Sequence, residues 1–388
     1  MIARRPVLFG SLLAASSVGP ALAAGEPAWR SPSPAAASPN RYVSAGTPVD
    51  VKSFGARGDG HTLDLEPVRR AITASSHVLF PPGDYWLGTL PSPDVLLPLR
   101  RRRNVLIEGH GARLVCNTTA PVVPTFFLIE SCSHVTIAGL GFADKGADPT
   151  RKYRGAVAVR LSADRSPCRV ITLANLSGDG LVALVIANAT EHRCSNITIR
   201  DCSIENAYYG LNFQNNGDLV TADLYSRNVR RAYFPYGVQF HEISLVSSDL
   251  ANASAHVLVK CYSLPTRYIS LRLLAHNVTK AGSLLSIEQQ HASDSGVIEF
   301  ISANISCSGD AKGKIVFRAY DSSGDPLAVT DSAYRFINIT AANADCDFET
   351  SFDDVTSVYL VCDSIGIPAE SRGSPAPPLA KEPKWAGF

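Results

Sequence analysis

The chain is poor in charge and in methionine. Only 18% of its 388 residues are charged, the formal net charge is +1, and there is a single methionine. A net charge this close to zero gives no general attraction to nucleic acid or to any other polyion, so a preference for anions would have to come from local clustering. One methionine excludes a methionine-rich, adaptable binding surface. No zinc, nucleotide or nucleic-acid motif is present in the sequence.

Paired cysteine motifs are lacking too. Nine cysteines are scattered singly, and no two have the C-x-x-C spacing of a zinc knuckle or a redox site. Two interpretations stay open. The cysteines are small buried hydrophobic residues, or they form one or two disulfides, for which Cys346–Cys362 and Cys168–Cys194 are the first candidates. Their odd number leaves at least one thiol unpaired.

Long hydrophobic runs are confined to the N-terminus. Elsewhere no run reaches the roughly 18 apolar residues that a spanning helix needs, so we expect no membrane span. Residues 1–24 combine a basic start, Arg4 and Arg5, with an apolar run and small residues ending in Ala-Leu-Ala. This pattern is typical of a secretory signal peptide, and the arginine pair is compatible with a twin-arginine signal. We therefore expect an exported protein, periplasmic or secreted.

Two segments rich in Pro, Ser and Ala flank the rest of the chain. Residues 25–48 and 367–388 have this composition, which is typical of flexible or extended segments outside a folded core. We expect residues 49–366 to form one domain. With 45% hydrophobic residues in the whole sequence, there is enough apolar material for a sizeable core.

A strand-like segment recurs seven times between about residue 155 and residue 321. Its copies begin at Gly155, Leu181, Gly210, Arg231, His256, Ser283 and Lys314. In most copies alternate positions are apolar, which at period two predicts one face in a core and the other face outside. The predicted inner positions include Val157, Val159, Leu211, Phe213, Val257, Val259, Leu285, Ile287, Ile315 and Phe317.

The other positions of these segments carry long polar, aromatic and mostly cationic side chains. They are Arg160, Asn212, Gln214, Arg231, Tyr233, His256, Lys260, Tyr262, Glu288, Gln290, Arg318 and Tyr320. If the seven copies stack side by side, these side chains share one outer face. The sequence therefore predicts a binding groove along that face.

Short β-branched segments form a second recurrent set, from about residue 104 to residue 340. Their intervals fall within the roughly 20 to 50 residues typical of repeat architectures, without helical periodicity. Such spacing favours a solenoid of strands over a sandwich, and one elongated core can then extend through the whole domain.

The segment between residues 50 and 88 carries two turn motifs. The first is Phe-Gly-Ala-x-Gly-Asp-Gly at residues 54–60, and the second is Phe-Pro-Pro-Gly-x-Tyr at residues 80–85. This arrangement resembles the opening segment of the pectate-lyase-like superfamily, which includes polygalacturonases, several lyases and phage tailspikes. The resemblance implies an all-β, single-stranded right-handed parallel β-helix with a short N-terminal capping helix.

One position in this segment departs from the superfamily pattern. Leu63-Asp64-Leu65 stands where the superfamily tends to have Asp-Asp-Thr. We still expect Asp64 to cap the helix by accepting from backbone N–H groups at its start. Asp59 and Asp64 are interpreted as structural residues.

The sequence gives weak support to hydrolysis. Gly-His-Gly at residues 109–111 resembles a polygalacturonase motif, but it lies in the first coil, where a structural turn is expected. The other polygalacturonase motifs are missing in their expected order. Inverting hydrolysis needs two carboxyl groups, and the predicted outer face supplies one, Glu288.

β-Elimination on a uronic-acid polymer fits the outer face better. A base removes the C5 proton, and cations neutralise the adjacent carboxylate while negative charge develops. The catalytic candidates are Lys260 or Tyr233 as base, Arg318 as neutralising cation together with Arg231, and Glu288. The substrate-binding candidates are Arg160, Asn212, Gln214, Arg231, His256, Tyr262, Gln290 and Tyr320.

The first hypothesis is therefore an exported lyase of an acidic polysaccharide. Two alternatives stay open: an inverting glycoside hydrolase of polygalacturonase type, and a non-catalytic glycan-binding β-helix. Several lyases of the superfamily hold calcium with acidic residues, so calcium is the cofactor to consider, although only Glu288 is well placed for it.

Overall fold

A computed structural model describes residues 47–148, 154–188, 190–250, 255–261, 264–278, 283–290, 297–320, 334–348 and 358–366. The predicted signal peptide, nearly all of the N-terminal Pro-rich segment and the C-terminal tail lie outside the described residues. Export and the roles of those segments therefore stay predictions.

The described chain is built almost entirely of strands. In chain order the elements are β1 (Val49–Asp50), a 3-10 helix (Val51–Phe54), β2 (Asp59–Leu63), α1 (Leu65–Ala74), β3 (His77–Phe80), β4 (Gly83–Leu90), β5 (Val95–Arg100), β6 (Arg103–Thr118), β7 (Thr125–Glu130), β8 (Ser133–Asp144), β9 (Val157–Ser162), β10 (Arg169–Ala174), β11 (Ser177–Asp179), β12 (Ala183–Ala187), β13 (Ser195–Gln214), β14 (Asp218–Tyr236), β15 (Gln239–Ser248), β16 (Val257–Cys261), β17 (Thr266–His276), β18 (Ser283–Gln290), β19 (Ile298–Cys307), β20 (Gly313–Tyr320), β21 (Tyr334–Ala342), β22 (Ala344–Phe348), β23 (Val358–Val361) and β24 (Ser364–Gly366).

The N-terminal segment begins the stack with α1. Asp64 precedes the helix, but its side chain makes no capping bond to it. The carboxylate instead accepts from the backbone N–H groups of Arg57, at 2.7 Å, and Gly58, at 3.0 Å. The expected side-chain cap is therefore wrong, because the buried carboxylate holds the glycine-containing turn. Gly58 has a φ of 66° and lies against the Tyr85 ring, which a side chain at this position would meet.

The strands pair in parallel to form long ladders. The first ladder runs β5, β7, β9, β12, the ends of β13 and β14, β16, β18, β20, β22 and β24. The second runs β1, β3, the starts of β6 and β8, β10, the starts of β13 and β14, β15, β17, β19, β21 and β23. A third ladder joins β2, β4, the ends of β6 and β8, β11 and the middle of β13.

This pairing confirms the predicted parallel β-helix. The seven recurrent segments are neighbours in the first ladder, in sequence order, and the β-branched segments are neighbours in the second. Val159, Leu211, Val257, Ile287 and Phe317 are fully buried in one continuous core, as their alternation predicts. Within the described ranges, no helix is long and apolar enough to cross a membrane.

Candidate functional site

Five polar side chains lie in register across five neighbouring strands of the first ladder. Gln214 pairs with Tyr236, Tyr236 with Lys260, Lys260 with Glu288 and Glu288 with Arg318. Strands in a sheet are about 4.8 Å apart, so these side chains follow one another along the helix axis. We call these five residues the polar row.

Glu288 joins the two cations of the polar row. Its Oε2 lies 3.0 Å from Nζ of Lys260, and its Oε1 lies 3.3 Å from Nη1 of Arg318. Ser286, two residues earlier on the same strand, donates to Oε1 at 2.9 Å. The polar row therefore carries two positive charges and one negative charge, and the three charged side chains are largely shielded from solvent.

The cations control the ionisation of Glu288. Burial by itself would raise the pKa of this carboxyl group, but the positive charges of Lys260 and Arg318 oppose it. Hydrogen bonds from Lys260 and Ser286 act in the same direction, and the pKa ends below its ordinary value. Glu288 is thus a carboxylate at neutral pH and not a proton donor.

The other end of the row is neutral. The Tyr236 hydroxyl donates to Oε1 of Gln214 at 3.3 Å, and Nε2 of Gln214 donates to Oδ1 of Asn212 at 2.8 Å. Asn212 is buried, while Gln214 and Tyr236 are half-buried. Amide and phenol groups in this position can hydrogen-bond sugar hydroxyls.

Interior residues hold the backbone of the polar row. Thr266 donates to the carbonyl oxygen of Lys260 at 2.6 Å and accepts from the N–H of Gly237 at 2.8 Å. The buried Tyr334 hydroxyl donates to the carbonyl oxygen of Arg318 and accepts from the N–H of Gln289. The strands that carry Lys260, Glu288 and Arg318 are therefore fixed from inside the β-helix.

An aromatic patch adjoins the neutral end. The rings of Tyr209 and Phe234 lie 6.0 Å apart and nearly parallel. The guanidinium of Arg231 lies 5.1 Å from the Phe234 ring, and that of Arg230 lies 4.9 Å from the Tyr208 ring. These contacts are within the range of cation–π attraction. Arg231 is therefore on the predicted face, but it is buried against the patch and its Nε donates to the carbonyl oxygen of Ala255.

The structure places two predicted site residues in the interior. Tyr233 is fully buried, its hydroxyl lies 2.6 Å from Nδ1 of His241, and burial raises its pKa well above the ordinary value. His256 is fully buried beside Ser247, whose Oγ lies 2.7 Å from its Nε2, and burial lowers its pKa to about 4. The prediction that Tyr233 and His256 line the outer face is wrong.

The physical reason is that the alternation of inward and outward side chains is interrupted near the start of these two segments. Ala232 and Tyr233 are consecutive, yet both pack in the main core. His256 and Val257 are likewise consecutive and both fully buried. In the segment that starts at Arg231, a count of two therefore misses Tyr236 by one residue, whereas in the segment that starts at His256 only the first position is wrong.

The remaining predicted residues are dispersed. Arg160 shares the face, where its Nε donates to Thr125 Oγ1 at 3.2 Å, and burial lowers its pKa. Tyr320 is half-buried at the end of β20. Tyr262 lies outside the described residues, and so does the side chain of Gln290.

Sequence reasoning missed two members of the site, Tyr236 and Ser286. Tyr236 is not among the predicted site residues, yet it stands between Gln214 and Lys260 in the ladder. Alignment of the segments on their paired inward residues, instead of their first residues, would have revealed Tyr236.

No group of three or more His, Cys, Asp or Glu side chains that could hold a metal is found in the part of the chain that the structure describes. A calcium site stays an untested prediction.

No family model and no curated protein matches the sequence. Among solved structures, the A-module of a mannuronan C-5 epimerase from Azotobacter vinelandii is 14% identical, with 82% of this chain and 99% of that chain covered and a TM-score of 0.40. An endo-xylogalacturonan hydrolase from Aspergillus tubingensis is 13% identical, covering 80% and 98%, with a TM-score of 0.45. A surface adhesin of Streptococcus pneumoniae is 14% identical, covering 77% and 90%, with a TM-score of 0.39.

These likenesses are too distant to carry an argument about activity. The strand pairing of the chain itself is the stronger observation, since it defines a continuous parallel β-helix. The fold that the sequence resemblance implied, a parallel β-helix, is thereby confirmed.

Proposed function

We propose that the protein is an exported carbohydrate-active protein whose polar row binds an acidic polysaccharide and cleaves it by β-elimination. The observation that carries this proposal is the in-register series from Gln214 to Arg318. It combines neutral hydrogen-bonding groups at one end with an excess of positive charge at the other. A uronate chain has the complementary chemistry, because its hydroxyl groups alternate with carboxylates.

In the proposed reaction Arg318 neutralises the uronate carboxylate next to the reacting carbon. Negative charge that develops on this group in the transition state is then stabilised by a positioned cation. Glu288 holds Arg318 and Lys260 in place, because each cation contacts a different oxygen of its carboxylate. Glu288 is a positioning residue in this scheme.

Tyr236 takes the role of the base. The contact of Lys260 with Glu288 favours the protonated ammonium, which is the opposite of what a base requires. In this scheme Tyr236 reacts as the phenolate, and the ammonium of Lys260, its register partner on the next strand, is the cation that stabilises that form. The Tyr236 oxygen accepts the C5 proton, the C4–C5 double bond forms as the C4–O bond breaks, and the departing oxygen takes up that proton.

A second candidate function is glycan binding without cleavage. The observation that favours it is the closed arrangement around Glu288, which is compensated by two cations and a hydroxyl donor. Inverting hydrolysis is the weaker candidate, because the polar row holds one carboxylate and this mechanism requires two.

Incubation of the mature protein with a panel of polyuronates tests the proposal. Absorbance of unsaturated ends and reducing ends are followed together, and both rise for a lyase. Tyr236→Phe is expected to lower the rate by at least about 100-fold, the usual contribution of a general base. Tyr225→Phe is the matched control, since Tyr225 is exposed on another face of β14 and its loss should leave the rate unchanged.

Other outcomes contradict the proposal in distinct ways. A rise in reducing ends alone indicates hydrolysis, and retention on a polyuronate column without product indicates a binder. An active Tyr236→Phe variant would exclude Tyr236 as the base.

The exported location is a proposal that rests on the first 24 residues. In a bacterial host, the full-length chain should accumulate outside the cytoplasm. Substitution of Arg4 and Arg5 by lysine should retain it inside if the twin-arginine route is used, and processing of both versions alike would contradict that route.

A further inference from the structure

One residue in each of nine successive coils adopts the left-handed backbone conformation near the start of its second-ladder strand. These residues have φ between 53° and 61°, and they are Asn104, His134, Val170, Asn196, Leu219, Phe240, Tyr268, Phe300 and Phe336. Their flanking residues pair in register, so the nine positions form a continuous column along the β-helix.

The last four positions of this column carry aromatic rings. Phe240, Tyr268, Phe300 and Phe336 are between 39% and 54% exposed. Asparagine adopts the left-handed region at little cost, as at Asn104, whereas a bulky side chain does so rarely. In four consecutive coils, the same residue therefore has an unfavourable backbone conformation and exposes an aromatic ring to solvent. Recurrent strain of this kind points to a function.

The four rings form a flat stack, which we call the aromatic column. Successive centroids are 4.8 Å apart, and the interplanar angles are 1°, 7° and 12°. Because the inner ring faces cover one another, the exposed parts are mainly ring edges. Ring edges carry the positive part of the aromatic quadrupole and are suited to contact with hydroxyl oxygens.

A row of short polar side chains runs beside the aromatic column, two residues further along each strand. Thr172, Thr198, Thr221, Glu242, Ser270, Ser302 and Asn338 are direct register partners. We call these residues the hydroxyl track. Members of both rows line an open groove of about 490 Å³, among them Phe240 and Tyr268 of the aromatic column and Thr198, Thr221 and Glu242 of the hydroxyl track.

The charge of this groove differs from that of the polar row. Glu242 is the one charged side chain in the hydroxyl track, and it is negative. A polyanion is therefore disfavoured here, while a chain with many hydroxyl groups and no charge has complementary chemistry. The groove is straight, because it follows in-register strands, and this favours an unbranched ligand.

We propose that the aromatic column and the hydroxyl track form a second binding surface, which takes a neutral, unbranched polysaccharide. This surface is on the second ladder, whereas the polar row is on the first, and the inference does not depend on the reaction proposed for the polar row. It would hold the protein on a neutral glycan while the polar row acts on an acidic one.

Calorimetric titration with cellohexaose, mannohexaose and xylohexaose tests this proposal. We expect at least one of them to bind the full-length mature protein, with an affinity that changes little with salt concentration. The double variant Tyr268→Asn/Phe300→Asn should weaken binding at least 10-fold. Asparagine keeps the left-handed conformation, so the fold should be retained. Thr198→Val/Thr221→Val, which removes two hydroxyl groups from the lining of the groove at nearly constant volume, should weaken binding as well.

Tyr225→Ala is the matched control, because it removes an exposed ring outside the groove and should leave the affinity unchanged. The proposal is overturned if none of the three oligosaccharides binds, or if the Asn double variant binds as the wild type does. It is also overturned if the wild type is a dimer that the double variant converts to a monomer, since the column would then be a self-association surface. Cleavage of polyuronate should be equal in wild type and double variant.

Discussion

Nζ of Lys260 lies 3.0 Å from Oε2 of Glu288, its register partner on the next strand of the ladder, and both side chains are only 10% exposed. Removing two charges from water is costly, and a buried ion pair often adds little net stability compared with apolar residues. Stability alone therefore explains this pair poorly. A role in holding the cations of the polar row accounts for it better.

Breaking the pair should destabilise the protein. Lys260→Met leaves the Glu288 carboxylate with Arg318 as its remaining cation, so we expect a loss of about 3 kcal/mol, the low end for a broken buried pair. Urea unfolding of both proteins measures the difference. Lys312→Met is the control, because Lys312 pairs with Asp345 and Asp363 at an exposed site and should show no measurable change. Equal midpoints for wild type and Lys260→Met would mean that the pair is not formed.

Acid should remove the contribution of Glu288. Its folded-state pKa lies below the ordinary value of 4.5, since the two cations outweigh the effect of burial. The carboxylate therefore stabilises the fold fully above pH 4.5, and this contribution is lost as the pH falls through the lowered pKa. The difference in melting temperature between wild type and Glu288→Gln should be greatest above pH 5 and shrink below pH 4.5.

The pH experiment has its own control in Glu66, which is exposed and pairs with Arg69 on α1. The difference between wild type and Glu66→Gln should stay small across the same range. A Glu288→Gln difference that grows in acid would contradict the assignment.

Tyr233 should matter for stability and not for activity. Its hydroxyl donates to Nδ1 of His241, whose Nε2 in turn donates to the carbonyl oxygen of Gly217 at 2.8 Å. Tyr233→Phe leaves that buried nitrogen without its donor, at a cost of about 1 to 3 kcal/mol. Turnover of polyuronate by the folded variant should match the wild type, and a large loss of rate with an unchanged melting temperature would restore a catalytic role.

The cysteines should be nearly inert in the native protein. All nine are free thiols, and eight of them are buried, while Cys362 is half-buried. Burial raises the pKa of Cys132 to about 11 and that of Cys261 to about 12, which suppresses the reactive thiolate. A thiol reagent should modify about one cysteine in the native state and nine in denaturant. Five in denaturant would indicate that both candidate disulfides, Cys168–Cys194 and Cys346–Cys362, form on export.

The sequence determined the architecture of this protein. Apolar residues at period two within a repeating unit can be buried only if successive coils stack in register, so the order of strands in both long ladders followed from the pattern. The turn motifs around Gly58 and Tyr85 determined where the stack begins. Arg160, Lys260, Glu288 and Arg318 were assigned to the outer face for the same reason.

Tertiary structure alone decided which side chains act together. Near Tyr233 two consecutive residues, Ala232 and Tyr233, are both turned inward, and Tyr236 comes to lie between Gln214 and Lys260. The pairing of Lys260 with Glu288, and the stacking of Phe240 on Tyr268, depend on coil-to-coil register and side-chain direction. Neither the register nor the side-chain direction can be read from hydrophobic periodicity. The periodicity indicates which residues are buried, but not which of the exposed residues become neighbours.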